Sequence, residues 1–126
     1  MGRRVLVAED EPNIVESLTF LLERAGFEVS VQMDGRQAWE AVQREAPHVL
    51  VLDVMLPELD GYEILRRLRA DRTARRTPVL MLTAKSQRED RETAMDGGAD
   101  LFMTKPFANA DIVAAVERLA AGRAAE

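Results

Sequence analysis

Five short apolar runs recur along the chain, and the segments between them have helical period. The runs are Val5-Leu6-Val7-Ala8, Phe27-Glu28-Val29-Ser30-Val31, Val49-Leu50-Val51-Leu52, Val79-Leu80-Met81-Leu82 and Leu101-Phe102-Met103. The first, third and fourth have no polar interruption, as suits strands of a parallel sheet buried on both faces. The second alternates and reads as an edge strand. Between the runs, Ile14, Val15, Leu18, Leu21, Leu22 and Ala25 form one helical stripe, and Gly26 is placed to end it. Asp34 with Gln37, and Asp60 with Glu63, have the form of capping boxes. They lead into Ala38, Trp39 and Val42, and into Ile64, Leu65 and Leu68. A fourth helix is expected from about Arg88 to Asp96, stopped by Gly97-Gly98. Asn109 is placed to cap a fifth, with Ile112, Val113, Val116 and Leu119 inward. The order βαβαβαβαβα with right-handed crossovers predicts an α/β fold, a doubly wound three-layer sandwich. A chain of 126 residues makes one such domain. Its expected extent is 1–121, with 122–126 as a flexible tail or the start of a linker.

Composition removes several function classes. The chain has no Cys, hence no disulfide framework, thiolate zinc site or thiol nucleophile. A net charge of −5 argues against wholesale binding of a phosphate backbone. Six arginines (Arg66, Arg67, Arg69, Arg72, Arg75 and Arg76) are expected to form the solvated face of the third helix and its loop. The first apolar run meets Glu9-Asp10-Glu11 too soon for a signal-peptide core, and no run approaches the length of a membrane span. The expectation is a soluble, cytoplasmic protein with no membrane contact and no direct nucleic-acid binding by this domain.

In open α/β sheets, ligands bind beyond the carboxyl ends of the strands. The first run is followed by Glu9 and Asp10, the third by Asp53 and the fourth by Thr83, with Lys105 shortly after the fifth. If the first and third strands are neighbours, their axes lie about 4.8 Å apart. Carboxylates that close repel one another, so a proton or a cation must relieve them. Oxygen ligands with a few waters suit Mg²⁺. Each acid alone reads as a solvated strand-end group, but the set with Thr83 and Lys105 at matching ends reads as a site. Of the 17 basic residues, 15 are Arg and only Lys85 and Lys105 are Lys. Lys105 precedes Pro106, which holds it extended. A compact ammonium suits a crowded acidic pocket better than a guanidinium fork. Lys85 stands at the rim, two residues past Thr83.

Together these residues resemble the receiver domain of bacterial two-component response regulators, of the chemotaxis-receiver type. The matching segments are Val7-Ala8-Glu9-Asp10-Glu11, Leu52-Asp53 through Asp60-Gly61, Met81-Leu82-Thr83-Ala84, and Gly98-Ala99-Asp100 through Thr104-Lys105-Pro106-Phe107. The resemblance implies a flavodoxin-like sheet of order 2-1-3-4-5. It implies Asp53 as phosphoryl acceptor, Asp10 as direct Mg²⁺ ligand and Glu9 as a ligand through water. Met55 would offer its backbone carbonyl to the metal, and Mn²⁺ could replace Mg²⁺. Thr83 would bond the phosphoryl group and Lys105 would neutralise it. The bond before Pro106 would be cis. Thr83 and Phe102 would form the switch, with Ala84, Lys85 and Pro106 at the rim. Met55 is expected to crowd the site without orienting water, which favours a long-lived phosphorylated form.

The implied phosphodonor is a sensor histidine kinase or a histidine phosphotransfer protein. The implied output is a downstream protein or domain that reads the fourth helix, fifth strand and fifth helix. A phosphorylation-dependent dimer through that face is in doubt. Arg91 and Asp111 fit its charge pattern, but Leu101 and Ala115 stand where charges are usual and offer an apolar contact instead. An Mg²⁺-dependent phosphohydrolase with an Asp nucleophile is the alternative, although Met55 stands where such enzymes carry a second acid. A flavin module would want a Gly-, Ser- or Thr-rich loop where this chain has Glu9-Asp10-Glu11-Pro12. His48, before the third strand, lies at the wrong end to act as a phosphodonor.

Overall fold

The computed structural model describes residues 3–84 and 88–124. Its strands are β1 (Arg4–Ala8), β2 (Glu28–Gln32), β3 (Val49–Asp53), β4 (Val79–Thr83) and β5 (Leu101–Thr104). Its helices are α1 (Pro12–Arg24), α2 (Gly35–Glu45), α3 (Gly61–Ala70), α4 (Arg88–Asp96) and α5 (Asn109–Ala124). All strand pairs are parallel, in the order β2-β1-β3-β4-β5. The continuously apolar runs became the central strands, and alternating β2 lies at the edge, half-buried over most of its length.

Because successive strand residues face opposite sides, each central strand supplies both layers of the core. Leu6, Ala8, Leu50, Leu52 and Met81 pack with Ala38, Val42, Ile64, Leu65 and Leu68 on one side. Val5, Val7, Val49, Val51, Leu80 and Leu82 pack with Leu18, Leu22, Ile112 and Val116 on the other. Trp39 lies against the first of these cores.

The helix ends explain how the strand-end loops are held. Asp34 and Asp60 accept the amides of Gln37 and Glu63 at 2.8 and 3.0 Å, the expected N-caps of α2 and α3. Gly26 and Gly98 take left-handed φ angles of 99° and 103° after α1 and α4. The start of α5 differs from expectation. The amides of Asp111 and Ile112 bond the carbonyl of Ala108, so the helix closes on a backbone group one residue before Asn109. At its other end α5 continues through Gly122 to Ala124, where the tail was expected to begin.

The arginine-rich segment also departs from a uniform solvated face. Arg66 and Arg67 pair with Glu63. Arg69 instead turns inward. It donates to the carbonyls of Gly98 (2.9 Å), Arg75 (3.0 Å) and Thr77 (2.7 Å) and to Asp100 Oδ2 (2.9 Å). The same carboxylate oxygen accepts the Val79 amide at 2.7 Å. One guanidinium thus ties α3 to the loops that lead into β4 and β5.

The loop after β3 is clamped between two glycines. The Gly61 amide bonds the Val54 carbonyl and the Gly35 amide bonds the Pro57 carbonyl, both at 2.8 Å. A Cβ on Gly61 would lie 2.4 Å from the Asp53 carbonyl oxygen, and one on Gly35 would lie 1.6 Å from that of Leu59. Both obstacles are backbone, so the loop itself must move. Gly61→Ala is therefore expected to destabilise the fold by about 1–3 kcal/mol. A urea titration that finds the midpoint unchanged would contradict the clamp.

Candidate functional site

The carboxyl edge of the sheet gathers the expected residues. Glu9 and Asp10 follow β1, Asp53 ends β3, Thr83 ends β4 and Lys105 follows β5. Adjacency of β1 and β3 brings oxygens of Glu9, Asp10 and Asp53 within 4.8 Å of one another. Glu9 and Asp53 are 0% and 3% exposed, whereas Asp10 is open to solvent. Lys105 Nζ reaches between the two buried acids, 2.7 Å from Glu9 Oε1 and 3.3 Å from Asp53 Oδ1. Glu9 Oε2 accepts the Glu11 amide at 3.0 Å, which orients its carboxylate.

Backbone bonds fix the remaining parts. The Lys105 amide donates to the Thr83 carbonyl at 2.7 Å, joining the ends of β4 and β5. The Lys105–Pro106 peptide is cis, as the resemblance implied. The Val54 amide bonds the Leu82 carbonyl at 2.9 Å, which sets the chain direction just after Asp53. Thr83 is buried at the same edge.

The electrostatics follow from this crowding. Burial, reinforced by the negative charge of Glu9, pushes the Asp53 carboxyl up to about 6, while Lys105 and the Met55 amide oppose the rise. Burial of the Lys105 ammonium works against its charge. The hydrogen bond with Glu9 and the charges of Asp53 and Glu9 outweigh that and hold it above the usual lysine range. The cluster fits a small hard cation. All its donors are oxygens, Asp10 lies open to entry, and the one ammonium described between Glu9 and Asp53 leaves the cluster net negative.

Other sequence-derived positions sort by burial. Met55 donates its amide to Asp53, and the residue is 64% exposed. Phe102 is buried on β5 next to Met81, with the Arg91 guanidinium 5.9 Å from its ring centre. Ala84 and Pro106 are exposed, and with Glu11, Ile14 and Lys105 they line a cleft of about 420 Å³. Lys85 lies outside the described residues. Ala115 belongs to the core and Leu101 is half-buried, which weakens the idea of an exposed apolar contact there. His48 Nδ1 accepts the Arg4 amide at 2.9 Å at the amino end of β3, away from the acids. The Met55 amide bond to Asp53 had no signature in the sequence. The glycine clamp did leave one, since Asp34-Gly35 and Asp60-Gly61 are two Asp-Gly pairs flanking this edge.

Residues 5–117 match the family model of the response regulator receiver domain. The chain is a response regulator receiver domain. This receiver domain is 41% identical over 119 residues to the alkaline phosphatase synthesis transcriptional regulatory protein PhoP of Bacillus subtilis, covering 94% of the chain and 49% of that protein. It is 40% identical over 116 residues to the DNA-binding response regulator MtrA of Mycolicibacterium smegmatis, covering 92% of the chain and 50% of MtrA. The receiver domain thus spans about half the length of these curated relatives. Among solved structures, a putative response regulator from Chloroflexus aurantiacus superposes with a TM-score of 0.91 at 30% identity, covering 96% of this chain and 99% of that one. The receiver domain of the sensor histidine kinase PA1611 from Pseudomonas aeruginosa, described with magnesium in its active-site cleft, gives 0.88 at 31% identity, with 96% and 99% covered. These matches do not favour the phosphohydrolase alternative. Among the described residues, no helix is long and apolar enough to cross a membrane.

The raised Asp53 value has a stability consequence in the metal-free protein. An unfolded Asp titrates near 3.9, and the folded one at about 6. Between those values the folded state holds more protons, so stability falls as pH rises through the window and stays reduced above it. Asp53→Asn is expected to flatten that fall and to raise stability at pH 7 by on the order of 1–3 kcal/mol. Urea midpoints of both proteins from pH 4 to 7, with chelator present, check this. Parallel curves would contradict it.

Proposed function

We propose that Asp53 accepts a phosphoryl group from the phosphohistidine of a partner protein, and that the resulting charge resets a protein-binding surface. One observation carries the reading: Asp53 lies buried between a second carboxylate and an ammonium, at the sheet edge where the exposed Asp10 completes an oxygen cluster.

In the step, a carboxylate oxygen of Asp53 attacks phosphorus, a new P–O bond forms and the P–N bond to the donor imidazole breaks. The electron pair of that bond returns to the imidazole, which takes up a proton. Lys105 offsets charge on the transferred group and Thr83 donates its hydroxyl to it. Asp10, Asp53 and the Met55 carbonyl would hold Mg²⁺, with Glu9 acting through water. When bound, the ion supplies positive charge against the equatorial oxygens. Mn²⁺, also an oxygen-seeking cation, would serve in its place.

The domain acts as a switch and turns over no released substrate. Its own chemistry is self-phosphorylation from small phosphodonors and hydrolysis of the product. Movement of Thr83 toward the phosphoryl group would free space beside Phe102 and so couple the site to the face of α4, β5 and α5. The phosphodonor is a sensor histidine kinase or histidine phosphotransfer protein in the cytoplasm. The output is a domain or downstream partner that reads this face, with dimerisation of the phosphorylated form as one means. MtrA, of which this chain matches half, is described as a DNA-binding response regulator, and that description supports an output on DNA.

Incubation with acetyl phosphate and Mg²⁺ is expected to add one phosphoryl group by intact mass, and Asp53→Asn is expected to add none. An adduct that survives that substitution, or its absence from the unsubstituted protein, would overturn the assignment.

A further inference from the structure

Met55 draws attention by its position. It lies two residues after Asp53, on the loop clamped by Gly35 and Gly61, and its amide bonds the Asp53 carboxylate. Its side chain is 64% exposed, against 43% for Met33 and 44% for Met95, while Met81 is fully buried. The chain has no cysteine, so exposed methionine is its softest target for an oxidant. The backbone is therefore held beside the acceptor while the thioether stands free in solvent.

We propose that Met55 is an oxidation site through which peroxide shortens the lifetime of the phosphorylated receiver; this rests on the reading of Asp53 as phosphoacceptor. The sulfur lone pair attacks one peroxide oxygen, an S–O bond forms and the O–O bond breaks. The departing hydroxide takes up the proton from the transferred oxygen, leaving a sulfoxide and water. Sulfur loses two electrons and peroxide gains them. A thioether is a weak acceptor, whereas a sulfoxide oxygen accepts hydrogen bonds strongly. Carried on the residue whose amide bonds Asp53, that oxygen orients a water for attack on phosphorus, a task the thioether cannot perform. One net hydrogen bond sets the scale of the effect at roughly two- to tenfold in hydrolysis rate.

The test uses the full chain, with and without hydrogen peroxide treatment. Peptide mass spectrometry locates the added oxygen. Each sample is then phosphorylated with acetyl phosphate, freed of donor and followed by intact mass as the adduct decays. Met55 is expected to oxidise more readily than Met33 or Met95, and the oxidised protein to lose its phosphoryl group several-fold faster. Met55→Leu is expected to lose that response to peroxide, and the Met33→Leu/Met95→Leu protein to keep it. Equal decay with Met55 sulfoxide present, an equal response in Met55→Leu, or failure of Met55 to oxidise would each overturn the proposal. Failure to form any adduct before oxidation would instead remove the phosphoacceptor reading, and this proposal with it.

Discussion

Everything at the carboxyl edge depends on the repulsion among Glu9, Asp10 and Asp53. Two of these acids are buried, and among the described residues a single ammonium stands within ion-pair distance of both. One positive charge cannot neutralise three negative ones, so the cluster retains an unmet demand for cationic charge. Isolated exposed carboxylates would be solvated and inert. Here burial first, and the charge of Glu9 second, raise the proton affinity of Asp53, and a bound cation would oppose both.

The fold exists in large part to hold that unfavourable arrangement. Asp53 and Glu9 extend from central strands whose neighbours on both faces are packed cores, so neither acid can swing out to water. The Gly35 and Gly61 contacts fasten the loop after Asp53. At the opposite edge, Arg69 and Asp100 join α3 to the two loops that lead into β4 and β5 with charge-assisted hydrogen bonds. The two ends are thus rigid for different reasons. One end is tied by the Arg69–Asp100 pair and the carbonyls Arg69 bonds, and the other is crowded with like charge.

Much of this was legible in the sequence because the signals were periodic or chemical. Uninterrupted Val/Leu runs specify buried parallel strands, and the polar residues at their carboxyl ends placed Glu9, Asp10, Asp53, Thr83 and Lys105 on one edge. The misses have physical causes. Asn109 has a capping side chain, yet the chain closes α5 on the Ala108 carbonyl. Arg69 is indistinguishable by composition from the arginines around it, since only the packed loops reveal the carbonyls it bonds. Ala115 faces the core because of its position on α5, which a pairwise comparison of surface charges does not register. The Met55 amide bonds the Asp53 carboxylate, a backbone contact that no residue type announces.

The central claim is that the three carboxylates form one cation site of which Asp53 is a member. A calorimetric titration with Mg²⁺ tests this most directly. The account predicts a single site, with affinity weakened on the order of tenfold or more by either Asp10→Asn or Asp53→Asn, since each removes one charged ligand. Mg²⁺ binding that is absent, or that is equally tight after both substitutions, would contradict it.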